Sequence, residues 1–320
     1  MSKLPDVQNQ LPQIMIPIDK VGIINLRKRI KIFHGNKMYE FSPIFSAFVT
    51  LPKQQRGIHM SRSSETIEEV IDELSYLPYP SLENVCKAMA DTLLRKHDYS
   101  PQSEVTSRGF LIVDTLQEGF GKRQRGYEVF SRAKSERLNN DIKTRIFLGA
   151  SAEGMTTCPC AKELMQSFAK DIILERQEYF NLNPEQIDRL LNIIPIASHS
   201  QRSKGTLCIE LSYEREIDLL SITEIIESSM SGIVQDVLKR PDEGKLVRLA
   251  HLNPLFVEDS LRLMAQKVKE KFGHLSDNRY IFMRVENMES VHVYNASAEK
   301  HTTLGELKKE FEEINQSKNL

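Results

Sequence analysis

Apolar positions along this chain recur in two rhythms, one of period two and one near 3.6, and their order predicts an architecture before any chemistry is considered. After a polar, proline-punctuated opening, residues 14 to 18 and 21 to 32 alternate loosely and read as β segments. Residues 44 to 51 form a second strand that stops at Pro52. Ser63 or Ser64 then caps a helix on which Ile67, Val70, Ile71 and Leu74 fall on one face. A break at Pro78 and Pro80 leads into a helix over residues 82 to 94. Strands over 107 to 116, and over 127 to 133 or 140 to 149, are joined through a glycine-rich, basic turn.

The second half repeats this order. A strand over 205 to 211 precedes a helix over 221 to 237, with Ile222, Ile225, Ile226, Met230, Ile233 and Val237 as its stripe. A turn at 240 to 244, a helix over 257 to 272 and a strand over 279 to 287 follow. Strands, two helices and strands, twice over, predict an α+β protein of two similar modules, 1 to 157 and 158 to 320. Residues 161 to 192 read as a helical pair inserted into the second module, packed through Leu164, Phe168 and Ile172.

Composition narrows the class. Hydrophobic residues at 40% and charged residues at 27% of 320 describe a soluble globular chain. With 43 Lys and Arg against 44 Asp and Glu, no general field recruits nucleic acid or an anionic membrane, so an anionic partner must be small and held locally. The chain has no Trp and only 7% aromatic residues, which disfavours a base-stacking platform. No apolar run reaches the roughly 18 residues of a membrane span, and the start lacks the apolar core of a signal peptide. Four cysteines, two of them one residue apart, are no secreted disulfide framework, and a cytoplasmic location is expected.

Several segments have the residue types of a reactive site. Cys158-Pro159-Cys160 ends a stretch of small residues; proline favours an extended segment in which both sulfurs face one side. His199 stands among small and polar residues just before a strand. His59 lies between Arg56 and Arg62 ahead of a helix, an arrangement suited to phosphate. Glu243 is in a turn, Glu258 follows apolar neighbours at a helix start, and His292 follows the last strand. Taken one at a time, each also fits a bland role: a buried thiol, a core imidazole, a solvated carboxylate.

Together the motifs Arg56 to Arg62, Cys158 to Glu163, His199 to Ser203, Leu238 to Glu243 and Phe256 to Asp259 resemble one family. It is the GTP cyclohydrolase family that joins bacterial type IB enzymes to the archaeal enzyme MptA. The likeness runs in order from about Asp6 to His292, and the long insert between Cys158 and His199 is similar to the archaeal branch. The resemblance implies a bimodular tunnelling fold (T-fold), two repeats of antiparallel strands plus two helices, in a homotetramer with active sites between subunits. It implies Cys158, His199 and Glu243 as metal ligands, with Cys158 favoured over Cys160, and Glu258 as the anchor of guanine. It implies His292 as a further active-site histidine. Ser200 departs from the family's usual Asn, and Val293-Tyr294 from the second histidine of bacterial members.

The implied chemistry is attack of water on C8 of GTP and release of formate, for which a metal ion supplies hydroxide near neutral pH. Fe(II) is the expected ion, with Zn(II) or Mn(II) as alternatives. His292 or His59 would shuttle protons, and Arg56, Arg62, Arg202 and Lys204 would hold the triphosphate. The expected product is 7,8-dihydroneopterin 2',3'-cyclic phosphate; the bacterial alternative is 7,8-dihydroneopterin triphosphate. A T-fold nitrile reductase using a cysteine thioimide and NADPH is a rival, against which His199 and Glu243 speak. A catalytically silent scaffold is another.

Overall fold

Strict alternation makes the first long strands. In Ile44–Leu51 the residues Phe45, Ala47, Val49 and Leu51 are buried and their neighbours are half-buried, so one face belongs to a core. The computed structural model describes residues 7–34, 37–75, 81–117, 121–139, 141–213 and 216–317. The opening six residues, the Pro78 and Pro80 break and residues 118 to 120 of the glycine-rich turn lie outside the described residues.

The chain divides into two units, one reaching Ala150 and taking in Cys208–Leu220, the other built from Ser151–Leu207 and from Ser221 onward. The first contains β1 (Ile18–Arg27), β2 (Ile30–His34), β3 (Lys37–Phe41), β4 (Ile44–Leu51), α1 (Met60–Ser75), α2 (Leu82–Lys96), β5 (Gln102–Gln117), β6 (Gly121–Leu138) and the first part of β7 (Asp141–Thr157). Its sheet runs in the order β1-β4-β5-β6-β7, and β2 and β3 form a separate antiparallel pair. Helices α1 and α2 cover this sheet, burying Ile67, Val70, Met89, Leu93 and Leu94 with Phe45, Val105 and Val129.

The second unit continues from the last residues of β7 into α3 (Pro159–Glu175), α4 (Gln177–Phe180), α5 (Pro184–Ile193) and β8 (Ser200–Leu211). Then come α6 (Leu219–Glu227), α7 (Arg240–Leu252), α8 (Val257–Phe272), β9 (Tyr280–Met288), β10 (Ala296–Thr303) and α9 (Leu304–Ser317). Its strands are ordered β7-β8-β9-β10. Helix α8 packs Met264, Val268 and Phe272 over Ile281, Met283 and Val285 of β9. Gly205 of β8 must lack a side chain, because a Cβ there would meet Ile226 Cγ2 at 2.4 Å.

Several expectations change. The strand expected from residue 14 begins at Ile18; Ile14, Met15 and Ile16 are exposed, held between Pro12 and Pro17 without a pairing strand. Helix α1 starts at Met60, ahead of both expected caps, and buried Ser63 instead bonds a histidine. Both alternatives for the strand after β5 exist, as β6 and β7. Helix α6 ends at Glu227, ten residues early, because Gly232 N–H and C=O pair with Met155 at 3.2 and 2.9 Å and hold that stretch in a bridge. The expected turn at 240 to 244 is the first turn of α7, with Pro241 pre-set for a helix start.

Leu164, Phe168 and Ile172 are exposed; Ala169, Ile173 and Leu174 on the adjacent face pack on Ile187, Leu191 and Ile196. Strand β10 and helix α9 were not anticipated, since Ala296–Thr303 consists of small, polar and charged residues with little apolar signal.

A buried histidine closes the first unit near its candidate residues. His97, fully buried, places Nε2 3.2 Å from Ser63 Oγ and Nδ1 2.7 Å from Tyr99 OH. The Tyr99 ring lies 5.5 Å from His97 and 6.2 Å from His59. Burial first, then the charge of Arg62, lowers the His97 pKa from 6.5 to about 4. Between those values the unfolded chain takes up a proton that the folded chain refuses, so stability falls as pH drops from 6.5 toward 4 and is unaffected above 6.5. The His97→Gln variant is expected to show a shallower fall of Tm across this window, measured by thermal melts at several pH values.

Candidate active site

Cys158 and His199, singled out in the sequence, are joined through their backbones at one corner of the second unit. Cys158 ends β7's run and is the N-cap residue of α3; Pro159 is the first helical residue. The Cys158-Pro159-Cys160 segment is therefore not extended with both sulfurs on one face, because Cys160 has turned into the helix. Cys158 is half-buried and Cys160 exposed. Cys158 N–H donates to the His199 carbonyl at 3.0 Å, and Ser198 Oγ donates to the Cys158 carbonyl at 2.6 Å. These bonds put the residue bearing the thiol beside the residue bearing the imidazole. The other two cysteines are excluded as thiolates: burial pushes Cys86 and Cys208 each up to about 12.

His199 is half-buried, with Nδ1 3.1 Å from Gln201 Oε1 and 3.4 Å from Ser290 Oγ. Helix α7 is tied to the same corner by His251, whose Nε2 lies 3.2 Å from the Ser198 carbonyl. Glu243 is on the first turn of that helix, eight residues from His251 and thus roughly 12 Å along the axis at 1.5 Å per residue. It is exposed, and its N–H is bonded to the Lys239 carbonyl at 2.9 Å. Among the described residues, no three His, Cys, Asp or Glu side chains stand close enough to hold an ion. Cys158 and His199, neighbours through the backbone, offer the donor types that suit a borderline metal, a thiol and an imidazole, and Glu243 is carried separately.

Glu258 is in the first turn of α8 and is exposed, a helix-start carboxylate turned to solvent. The same end of α8 is anchored to the corner, since Leu255 N–H donates to the Thr157 carbonyl at 3.0 Å. His292 is exposed between β9 and β10 and stacks on Tyr294 with ring centres 5.0 Å apart.

The basic candidates divide between the units. In the first, exposed Arg56 donates to Gln10 Oε1 at 2.9 Å and Arg62 Nη1 to the Lys96 carbonyl at 3.0 Å, with His59 half-buried beside them in sequence. In the second, Arg202 pairs with Glu153 at 2.6 Å, and Lys204 is half-buried two residues on along β8.

Sequence reasoning missed the polar residues behind His199. Gln201 and Ser203 occupy the inward phase of β8, whose later inward positions are Leu207, Ile209 and Leu211. A polar pair at the buried phase of a strand demands partners, and that signal was present.

Comparison with known proteins follows the same outline. The chain matches the family model described as type I GTP cyclohydrolase folE2 over residues 4–298. It is 37% identical to the GTP cyclohydrolase MptA of Methanothermobacter thermautotrophicus over 97% of each chain. It is 38% identical to that of Methanocaldococcus jannaschii over 96% of this chain and 97% of the other. Solved uricases share the fold at 8% identity. That of Arthrobacter globiformis has a TM-score of 0.50 over 89% of this chain and 93% of its own, and that of Bacillus fastidious 0.51 over 91% and 95%. The α+β tunnelling-fold class implied by the motifs is thereby found, and no helix among the described residues is long and apolar enough to cross a membrane.

Proposed function

The chain belongs to the type I GTP cyclohydrolase family, and from that premise we propose that it opens the guanine imidazole ring of GTP, releases formate and forms 7,8-dihydroneopterin 2',3'-cyclic phosphate. The observation that carries the reading is the pairing of Cys158 with His199 through the 3.0 Å backbone bond, supported by the insert that α3, α4 and α5 form between them.

Cys158 and His199 would hold a divalent ion, Fe(II) first, with Zn(II) or Mn(II) as alternatives, and Glu243, which stands apart from this pair, would have to be brought to them to complete the set. Bound there, the ion would lower the pKa of water toward about 7 and so supply hydroxide for the hydrolytic steps. The protein's own residues do the rest. Glu258 accepts guanine N1–H and N2–H through its two oxygens, a pairing that orients C8. His292 and His59 give and take protons as the ring opens and the formamide is hydrolysed. Arg56, Arg62, Arg202 and Lys204 neutralise the phosphates, and the pairing of Arg202 with Glu153 must then be exchanged for a phosphate oxygen. A homotetramer with sites between subunits, in the cytoplasm, completes the proposal.

Phosphorus NMR of the product made anaerobically with Fe(II) tests it. A cyclic phosphate with free diphosphate is expected. A retained linear triphosphate would assign the bacterial product instead, and absence of formate would remove the activity.

A further inference from the structure

A line of buried polar groups runs from His199 through the second unit, and with the Asn287 amide oxygen facing Ser203 the protons along it take one order. Asn287 on β9, 3% exposed, accepts from Ser203 Oγ at 2.7 Å. Having given its proton to Asn287, the fully buried Ser203 hydroxyl can only accept from Thr156 Oγ1, 2.8 Å away and also fully buried. Thr156 then donates to Ser203 and accepts from Gln201 Nε2 at 3.0 Å. That bond turns the other end of the Gln201 amide, its oxygen, toward His199 Nδ1 at 3.1 Å. An amide oxygen has no proton to give, so Nδ1 must carry one. Ser290 Oγ, 3.4 Å from the same nitrogen, can only accept from it in this order, its own proton turned elsewhere.

We propose that Gln201 is a positioning residue that holds His199 in the Nδ1–H tautomer and so leaves the Nε2 lone pair free, with the order of protons set through Thr156 and Ser203 from Asn287. The inference deepens the assignment of His199 as a metal ligand and rests on it. Imidazoles that bind metals usually donate their second nitrogen's proton to a fixed acceptor, and loss of that acceptor typically weakens metal binding about 10- to 100-fold. Here the acceptor is a neutral amide whose own orientation is held by a buried hydroxyl chain, so its direction is built into the fold. A free glutamine at this position would turn over at little cost.

Nitrogen-15 NMR of metal-free protein labelled at histidine, with His199 assigned by loss of its signal in His199→Ala, reads the tautomer directly. A pyrrole-type Nδ1 and a pyridine-type Nε2 are expected. Zn(II) titration against a chromophoric chelator reads the consequence: Gln201→Leu weakens zinc binding about 10- to 100-fold. Gln201→Glu, which keeps an acceptor oxygen toward Nδ1, retains it. Circular dichroism confirms that both variants fold, and the tautomer of the wild type stands without them. A proton on Nε2 would overturn the proposal. Zinc binding unchanged in Gln201→Leu but lost in His199→Ala would also overturn it, while keeping His199 as a ligand. Zinc binding unchanged in His199→Ala would remove the ligand assignment itself, and the metal-positioning role of Gln201 with it.

Discussion

Cys158→Ala is expected to lose bound metal and at least about 10³-fold in kcat for formate release, a barrier increase of roughly 4 kcal/mol. The structure makes this a clean experiment. Cys158 is the N-cap of α3, but its side chain makes no capping hydrogen bond. The bonds that hold the corner, from Cys158 N–H to His199, from Ser198 Oγ to the Cys158 carbonyl and from Lys162 N–H to that carbonyl, use main-chain atoms that alanine retains. Helix α3 and the position of His199 should therefore survive, and Tm should change little. Metal analysis by mass spectrometry alongside anaerobic turnover checks the prediction. Metal retained at wild-type stoichiometry would transfer the ligand role to Cys160, which is two residues further on and exposed.

The second large effect is expected at Glu258. Its carboxylate is exposed on the first turn of α8, so Glu258→Ala removes no core packing. The helix start keeps Asp259, whose Oδ2 accepts from Phe256 N–H at 3.2 Å, and the loss of one favourable charge at the N-terminus is worth under about 1 kcal/mol. For GTP the loss is larger. Two charge-assisted hydrogen bonds to guanine contribute about 3 kcal/mol together, so KM is expected to rise about 10²-fold while metal content is unchanged. Steady-state kinetics beside metal analysis separates this outcome from that of Cys158→Ala. A KM equal to that of the wild type would show that guanine is anchored elsewhere.

The contrast between the two residues also shows how legible the site was. Apolar residues before Glu258 left both a partly buried and a solvated carboxylate open; Phe256 and Val257 lie on a helix start, where successive residues turn by about 100°, and the carboxylate reaches solvent. Cys158 and Cys160 were expected on one face of an extended segment; the helix that starts at Pro159 takes Cys160 out of that segment. In both cases local composition described the neighbourhood correctly and did not determine the direction of the side chain. Gln201 was readable in principle, since its phase on β8 is that of Leu207 and Ile209, but its partners Thr156 and Asn287 come from β7 and β9.

Period and order along the chain were enough to establish an α+β protein with β4, α2, α8 and β9 in place, because alternation and the 3.6-residue stripe are local properties that each segment carries with it. The motifs were enough to indicate the family for the same reason, since short spacings survive in one dimension. Only the tertiary structure decided that α6 stops where Gly232 bridges Met155, that the insert buries Ala169 and Ile173 and exposes Leu164 and Phe168, and that Glu243 is carried apart from the Cys158 and His199 corner. Each of these depends on which backbone or side chain from a distant segment claims a group first. That competition is settled by packing and hydrogen-bond satisfaction across the fold, and no single segment contains it.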